Sequence, residues 1–237
     1  VKFIKEYFIY DFLCNRGYLS YKNLVNILLE TSNEQSIINS STAEDLLKFN
    51  KTWMIYKWKI KLNRPIKRRE KILVRTWASG FEKISAYREF EIIDENKEVI
   101  LKASAIFLVV DLLKLKPIRI SDEISGEYEI INERNFETIE RIKPELENLL
   151  ENKFKIRKSD IDINGHVNNV VYIDWIEETL SEEVYTNYFI SELNLIYSRE
   201  IRNSEYVNIN YNHNYSYFEI KTDSLNSRAK INLEKKA

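Results

Sequence analysis

Asp160-Ile161-Asp162-Ile163-Asn164-Gly165-His166 repeats a pattern the chain has already used once, at Asp11-Phe12-Leu13-Cys14-Asn15-Arg16-Gly17. Laid over one another, the first Asp and the Asn coincide, and both segments run straight into a helix-forming stretch. A short strand-like segment precedes each copy, and several strands follow each helix. After one length adjustment, Arg64-Pro65-Ile66 falls over Arg199-Glu200-Ile201 and Glu70 over Glu205. The chain therefore reads as two similar halves.

In the first half, Leu24, Val25, Ile27, Leu28 and Leu29 give residues 18–30 the spacing of a helix laid on a core. A second short helix is expected near 44–49. From Trp53 the period drops to two: Trp58, Ile60 and Leu62 alternate with Lys57, Lys59 and Lys61. Residues 72–77, 84–93 and 99–110 continue as strands, with a hairpin turn at 94–97. Residues 127–150 are polar, contain Pro144, and read as a connection with some helix in it. Beyond them, 154–157 is a strand, 170–180 a helix, and 191–233 mostly strands, with His213 at a hairpin tip. A helix wrapped by a curved antiparallel sheet is the hotdog plan. The expected fold class is α+β, a tandem or double hotdog. Residues 1–130 form its N-terminal unit, 131–150 a linker and 151–237 its C-terminal unit. Joining two sheets also buries one edge of each.

Composition narrows the function classes. The 237 residues, 44% hydrophobic, suit one large domain or two small ones. A net charge of -1 gives no basic bias toward nucleic acid. Cys14 is the sole cysteine, so an internal disulfide and a four-thiolate zinc site are impossible, and a reducing cytoplasm is expected. Gly17, Gly80, Gly126 and Gly165 assemble neither a P-loop nor a dinucleotide fingerprint. With only His166 and His213 available, no metal or other cofactor is expected. No apolar run approaches the ~20 residues of a membrane helix, and the first residues lack a signal core. The start at Val1 rather than Met is consistent with processing or omission at that end.

Asp162, Asn164, His166 and Asn168 gather polar groups just ahead of the second helix. A helix N-terminus offers free N–H groups and a partial positive charge, which suit an oxyanion. An imidazole gains and loses a proton near neutrality, Asp162 is placed to orient it, and Asn164 to fix a water or a carboxylate. In the overlay the first half has Leu13 against Asp162 and Gly17 against His166, so only one half is expected to be active.

The run from Ser159 to Asn169, followed by Tyr172 and Trp175, resembles the active-site signature of the acyl-acyl-carrier-protein (acyl-ACP) thioesterases. Trp77-Ala78-Ser79-Gly80-Phe81 with Ala86-Tyr87-Arg88-Glu89-Phe90 resembles a segment of that family's N-terminal hotdog, as does the opening from Asp11 to Ser20. The resemblance covers most of the chain. It implies that the N-terminal unit shapes an acyl pocket and that the C-terminal unit supplies Asp162, Asn164 and His166. A further acid is implied at Glu200, within Tyr197-Ser198-Arg199-Glu200-Ile201. Plant members carry a cysteine after that acid; Ile201 stands there here, so a cysteine nucleophile is excluded.

What remains is chemistry on water: Glu200 and His166 position and deprotonate it, Asp162 orients His166, and Asn164 holds the water or the carboxylate. Attack by a carboxylate to give an anhydride is the rival. The implied activity is hydrolysis of fatty acyl-ACP, with acyl carrier protein as partner, no nucleic acid, no membrane insertion, and a monomer or homodimer. Nine basic residues against Glu70 between 57 and 75, including Lys57, Lys59, Lys61 and Lys67-Arg68-Arg69, are expected to receive the acidic carrier. Trp53, Met54, Trp58, Trp77, Ala103, Ala105 and Phe107 fit either the pocket wall or the core. An acyl-CoA thioesterase of the same fold, a hotdog dehydratase and a non-enzymatic acyl-thioester-binding module are the alternatives.

Overall fold

The computed structural model describes residues 1–145 and 148–236. β1 (Phe3–Phe8) leads through a 3-10 turn into a small hairpin of β2 (Cys14–Asn15) and β3 (Tyr18–Leu19). α1 (Tyr21–Ile38) starts at Ser20, whose hydroxyl accepts the Asn23 N–H and so satisfies one of the free amides of the first turn. The helix reaches Ile38 rather than ending near Glu30. Thr31 and Ser36 return their hydroxyls to the carbonyls of Ile27 (2.8 Å) and Ser32 (3.1 Å), so neither leaves a polar group unpaired. α2 (Ala43–Leu47) follows, closed by a reciprocal Thr42–Asp45 cap.

The strands β4 (Lys51–Leu62), β5 (Lys71–Glu82), β6 (Ser85–Ile93), β7 (Val99–Asp111) and β8 (Lys116–Ile118) complete the first half. α3 (Asp122–Gly126) leads into the connection. The second half contains β9 (Leu150–Lys155), α4 (Val171–Thr179), α5 (Glu182–Asn187), β10 (Tyr188–Tyr197), β11 (Tyr206–Tyr211), β12 (Tyr217–Lys221) and β13 (Leu225–Lys235). The described strands pair antiparallel, in the order β1-β5-β6-β7-β4-β10-β13-β12-β11-β9, with β8 added to β7. The order reads the same from both ends. β1, β5, β6, β7 and β4 correspond to β9, β11, β12, β13 and β10, and the halves meet where Lys59 of β4 faces Asn194 of β10.

One continuous sheet thus wraps two adjacent helices, which Lys22 of α1 and Asp174 of α4 link at 2.6 Å. The core is shared: Leu24 and Leu28 of α1 and Ile173 and Ile176 of α4 pack with Trp58, Phe90, Leu195 and Ile209 of the sheet. Burial of such side chains contributes about 1.5–3 kcal/mol each. This is the tandem hotdog, an α+β fold.

The connection departs from expectation, because its described residues contain no helix. It first extends the edge of β5 beyond β1 through a parallel bridge between Ile130 and Ala78, and then passes over the side chains of Trp77 and Glu89. Ile131 N–H donates to Ala78 O (3.0 Å), Trp77 Nε1 to Glu133 O (2.9 Å) and Asn135 N–H to the buried Glu89 carboxylate (3.0 Å). These bonds satisfy polar groups that the strand face would otherwise bury unpaired. A polar helix with no apolar stripe could not do so. Leu146 and Glu147 lie outside the described residues. No described helix is long and apolar enough to cross a membrane.

Candidate active site

The candidate catalytic loop is built by its own acids. Asp160 is buried and accepts Arg157 N–H (2.8 Å) and Nε–H (3.0 Å), which fixes the exit from β9. Ile161 then bridges Val167, and Asp162 N–H donates to His166 O (2.7 Å). The turn closes through Gly165, whose φ of 77° is a conformation other residues adopt at a cost. Asp162 Oδ1 accepts the main-chain N–H of both Asn164 (2.8 Å) and His166 (3.0 Å).

The structure brings His166 and Glu200 together. Val167 N–H donates to Ile201 O at 3.0 Å, which docks the loop on the chain leaving β10. Glu200 Oε2 then lies 3.4 Å from His166 Nδ1 and 3.2 Å from the Arg202 guanidinium. His166 Nε2 is buried and has no partner among the described residues. The expected contact between Asp162 and the imidazole is not present. Its Oδ1 accepts both loop amides, so the contact it makes with His166 is to the main chain. Asn164 is exposed at the loop tip, and its side chain makes no hydrogen bond among the described residues.

At the start of α4, Asn168 Oδ1 accepts Val170 N–H (3.2 Å), and Val171 N–H donates to Asn168 O (2.9 Å). The N–H groups of Asn169 and Tyr172 find no acceptor among the described residues. Two tyrosines brace this end: Tyr197 Oη donates to Asn169 O (2.8 Å), and its ring meets Tyr172 edge-on at 5.3 Å. Burial pushes both phenols above their ordinary range, so both remain neutral. Tyr197 sits in ordinary strand alternation, and nothing in the sequence pattern marks its hydroxyl.

Beside Glu200 a crevice of about 20 Å³ is lined by Met54, Ile55, Asn169, Tyr172 and Tyr197. Adjacent along β4, Trp53 lines a larger cavity of about 230 Å³ between α1 and the first-half sheet, with Leu29, Ala78, Phe81, Ala86 and Phe107. Trp58, Trp77, Ala103 and Ala105 are fully buried and belong to neither space. Arg88 is on the cavity wall, donating to Ser32 O (3.2 Å) and Gln35, and burial lowers its guanidinium to about 10.

The first half preserves the scaffold without a counterpart of the His166–Glu200 pair. Leu19 N–H donates to Ile66 O (2.8 Å) as Val167 does to Ile201, and Ser20 N–H to Leu13 O (3.1 Å) as Asn168 does to Asp160 (2.8 Å). Ile9 N–H donates to Glu70 O and Ile156 N–H to Glu205 O, both at 2.9 Å. Aligned on these bonds, Asn15 stands for Asp162, Tyr18 for His166 and Pro65 for Glu200. The overlay of Leu13 on Asp162 and Gly17 on His166 is therefore corrected, while that of Arg64-Pro65-Ile66 on Arg199-Glu200-Ile201 agrees with the bonds. The pairing moves by two residues ahead of the loop, where Leu13 stands for Asp160, and by one after it, where Tyr18 stands for His166, the difference being the one residue fewer that the Cys14–Leu19 pair encloses than the Ile161–Val167 pair. In the corresponding space of the first half lie Tyr18, Pro65, Lys236 and Glu177. Burial, then the Asp174 charge, pushes the Glu177 carboxyl up to about 8.

The basic run is not one solvated patch. Lys57 is buried, Lys59 lies 4.8 Å from the Phe136 ring centre, and Lys61 faces Glu192 at 3.6 Å. Arg68 N–H donates to Gly17 O, which places Lys67-Arg68-Arg69 beside the first-half loop, at the end of β4 away from Glu200.

Comparison with known proteins agrees with this architecture. Over 196 residues the chain is 26% identical to an acyl-[acyl-carrier-protein] hydrolase of Cuphea viscosissima, covering 77% of this chain and 48% of that protein. A palmitoyl-acyl carrier protein thioesterase of Cuphea hookeriana is 28% identical over 195 residues, 76% of this chain and 47% of that one. The chain thus spans about half the length of the curated relatives it matches. An acyl-ACP thioesterase structure from Bacteroides thetaiotaomicron shares the fold at a TM-score of 0.86 and 24% identity, over 98% of this chain and 97% of that one. Residues 2–128 match the acyl-ACP thioesterase N-terminal domain and residues 143–236 its C-terminal domain, so the chain belongs to the acyl-ACP thioesterase family.

Proposed function

We propose that this chain hydrolyses fatty acyl thioesters borne on acyl carrier protein, releasing fatty acid and the carrier thiol. The observation that carries the reading is the His166–Glu200 pair, with Nδ1 3.4 Å from the carboxylate and Nε2 buried without a partner among the described residues. Glu200 holds the Nδ1–H tautomer, leaving the Nε2 lone pair to take a proton from water as its oxygen attacks the thioester carbonyl. The Asn169 and Tyr172 N–H groups, at the positive end of α4, receive the oxyanion. Collapse of the tetrahedral intermediate breaks the C–S bond, and Nε2–H protonates the departing thiolate. Asp162 shapes the loop that presents His166, and Asn164, at the loop tip, steadies the incoming thioester or its water. The acyl chain occupies the cavity at Trp53 and Phe107, in an N-terminal unit of residues 1–130 joined through 131–150 to a catalytic unit of 151–237. The unit works in a reducing cytoplasm, as a monomer or homodimer.

Thiol release is measured from acyl-ACP and acyl-CoA of graded chain length, with the intact protein and His166→Ala side by side. Hydrolysis of acyl-ACP that collapses in the variant supports the reading. No release from any thioester by folded protein would point instead to an acyl-binding module, and undiminished activity in His166→Ala would place the chemistry elsewhere.

A further inference from the structure

The loop that carries His166 also carries an unusual surface. Ile163, between Asp162 and Asn164, is 97% exposed, and Ile161 is 40% exposed. Isolated exposed apolar residues are common, but two on one tight loop beside a candidate catalytic pair call for a partner. Around them stand two exposed cations, Lys158 on the approach to the loop and Arg199 beside Glu200, while Arg202 is paired with the Glu200 carboxylate at 3.2 Å. Asp160 and Asp162, the acids of the same loop, are turned into its hydrogen bonds rather than outward. The rim is therefore an apolar knob flanked by the cations of Lys158 and Arg199, beside the Glu200–Arg202 ion pair.

We propose that this rim docks the acidic carrier protein, with Ile163 seated in an apolar depression of the carrier and Lys158 and Arg199 facing its carboxylates. The inference rests on the hydrolase reading and names the surface through which the substrate is delivered. Charge complementarity selects the occupant: a second copy of this chain would set cations against cations, whereas an acidic protein is attracted. Position selects the same partner. A carrier holds its thioester at the end of a flexible phosphopantetheine arm, and that arm has to enter beside Glu200. Lys67-Arg68-Arg69 fail this requirement. Ile55 lines the crevice and Leu62 begins the approach to that cluster, and seven residues of strand separate them by roughly 23 Å.

The test is a binding titration of the intact chain with a carrier protein bearing a non-hydrolysable acyl amide, beside kinetics on acyl-carrier and on an acyl-N-acetylcysteamine thioester. The amide titration does not depend on turnover, so it tests the surface even if the hydrolase reading fails. Ile163→Asp and the pair Lys158→Glu/Arg199→Glu are compared with Lys67→Glu/Arg68→Glu/Arg69→Glu. Ile163 and Lys158 are exposed, so their replacement leaves the fold intact. The rim variants should weaken carrier binding and raise KM for acyl-carrier ~10-fold. The preference for acyl-carrier over the truncated thioester should fall by the same factor, and rising salt should weaken wild-type binding. Weakening confined to the 67–69 variant would move docking to the other end and overturn the proposal. So would equal losses on both thioesters with carrier binding unchanged, which would make these residues part of the chemistry.

Discussion

The main-chain N–H of Val167 donates to the carbonyl of Ile201 at 3.0 Å, and His166 and Glu200 are the residues immediately before these two. One backbone bond thus holds the loop and the end of β10 in register, and the side chains one step upstream come within 3.4 Å. Because the bond is main-chain, the side chains can be changed without separating the segments. His166→Ala and Glu200→Gln should each lower kcat by about 10²–10⁴-fold while changing unfolding free energy by less than about 1 kcal/mol. Thiol release and urea denaturation measure the two quantities. A large loss of stability in parallel with activity would mean the pair is structural.

Asp162 touches the loop and not the ring, which separates two substitutions. Asn retains an Oδ1 that can accept the Asn164 and His166 N–H groups; Ala retains none. Asp162→Asn should keep kcat within about tenfold, whereas Asp162→Ala should lose more and destabilise by about 1 kcal/mol, the worth of a lost local cap-type bond. If Asn is as damaging as Ala to kcat, the carboxylate charge acts directly on the imidazole and the contact forms only with substrate bound.

What could be read ahead of the structure follows from what periodicity encodes. The alternation at Trp58, Ile60 and Leu62 reports which face of β4 is buried, and the repeat of Arg64-Pro65-Ile66 at Arg199-Glu200-Ile201 reports the shared scaffold. The loop register was not legible. A turn of different length leaves no hydrophobic trace, and matching Asp11 to Asp160 by residue type sets the overlay two residues away from the pairing of Leu13 with Asp160 that the backbone bonds give. Glu200 was visible only through family resemblance, since a strand-end Glu between two arginines otherwise reads as a surface ion pair. The brace of Tyr172 on Tyr197 joins residues far apart in the chain, and no local pattern announces it. The helix expected in the connection is absent from its described residues, because a composition that suits a helix is overridden by tertiary bonds to Ala78, Trp77 and Glu89.

Ala86 and Phe107 face the same cavity across paired positions of β6 and β7. Enlarging the alanine fills space that the acyl chain is proposed to take. Ala86→Phe should move the chain-length optimum to shorter acyl groups, with a stability cost of about 1–3 kcal/mol from overpacking. A panel of acyl-ACP lengths reads the shift. An unchanged profile with reduced stability would show that the chain lies elsewhere.

Glu177 gives the fold a pH dependence of defined sign. Burial, then the neighbouring Asp174, raises its carboxyl from 4.5 to about 8, with Lys236 opposing them. Between those values the folded chain holds a proton that the unfolded chain has released, so the folded state binds more protons and stability falls as pH rises. The contribution is complete below about pH 4.5 and is lost by about pH 8. Glu177→Gln carries no titrating group, so its stability should lack this slope. Near pH 4.5 the difference between variant and wild type should be at its baseline; by pH 8 it should have moved in the variant's favour by on the order of 2 kcal/mol, allowing for partial access to water. Urea denaturation at pH 4.5, 6.5 and 8 measures it. A difference that stays constant across the three would mean that Glu177 is ionised throughout, paired with Lys236 across the space that in the second half belongs to the active site.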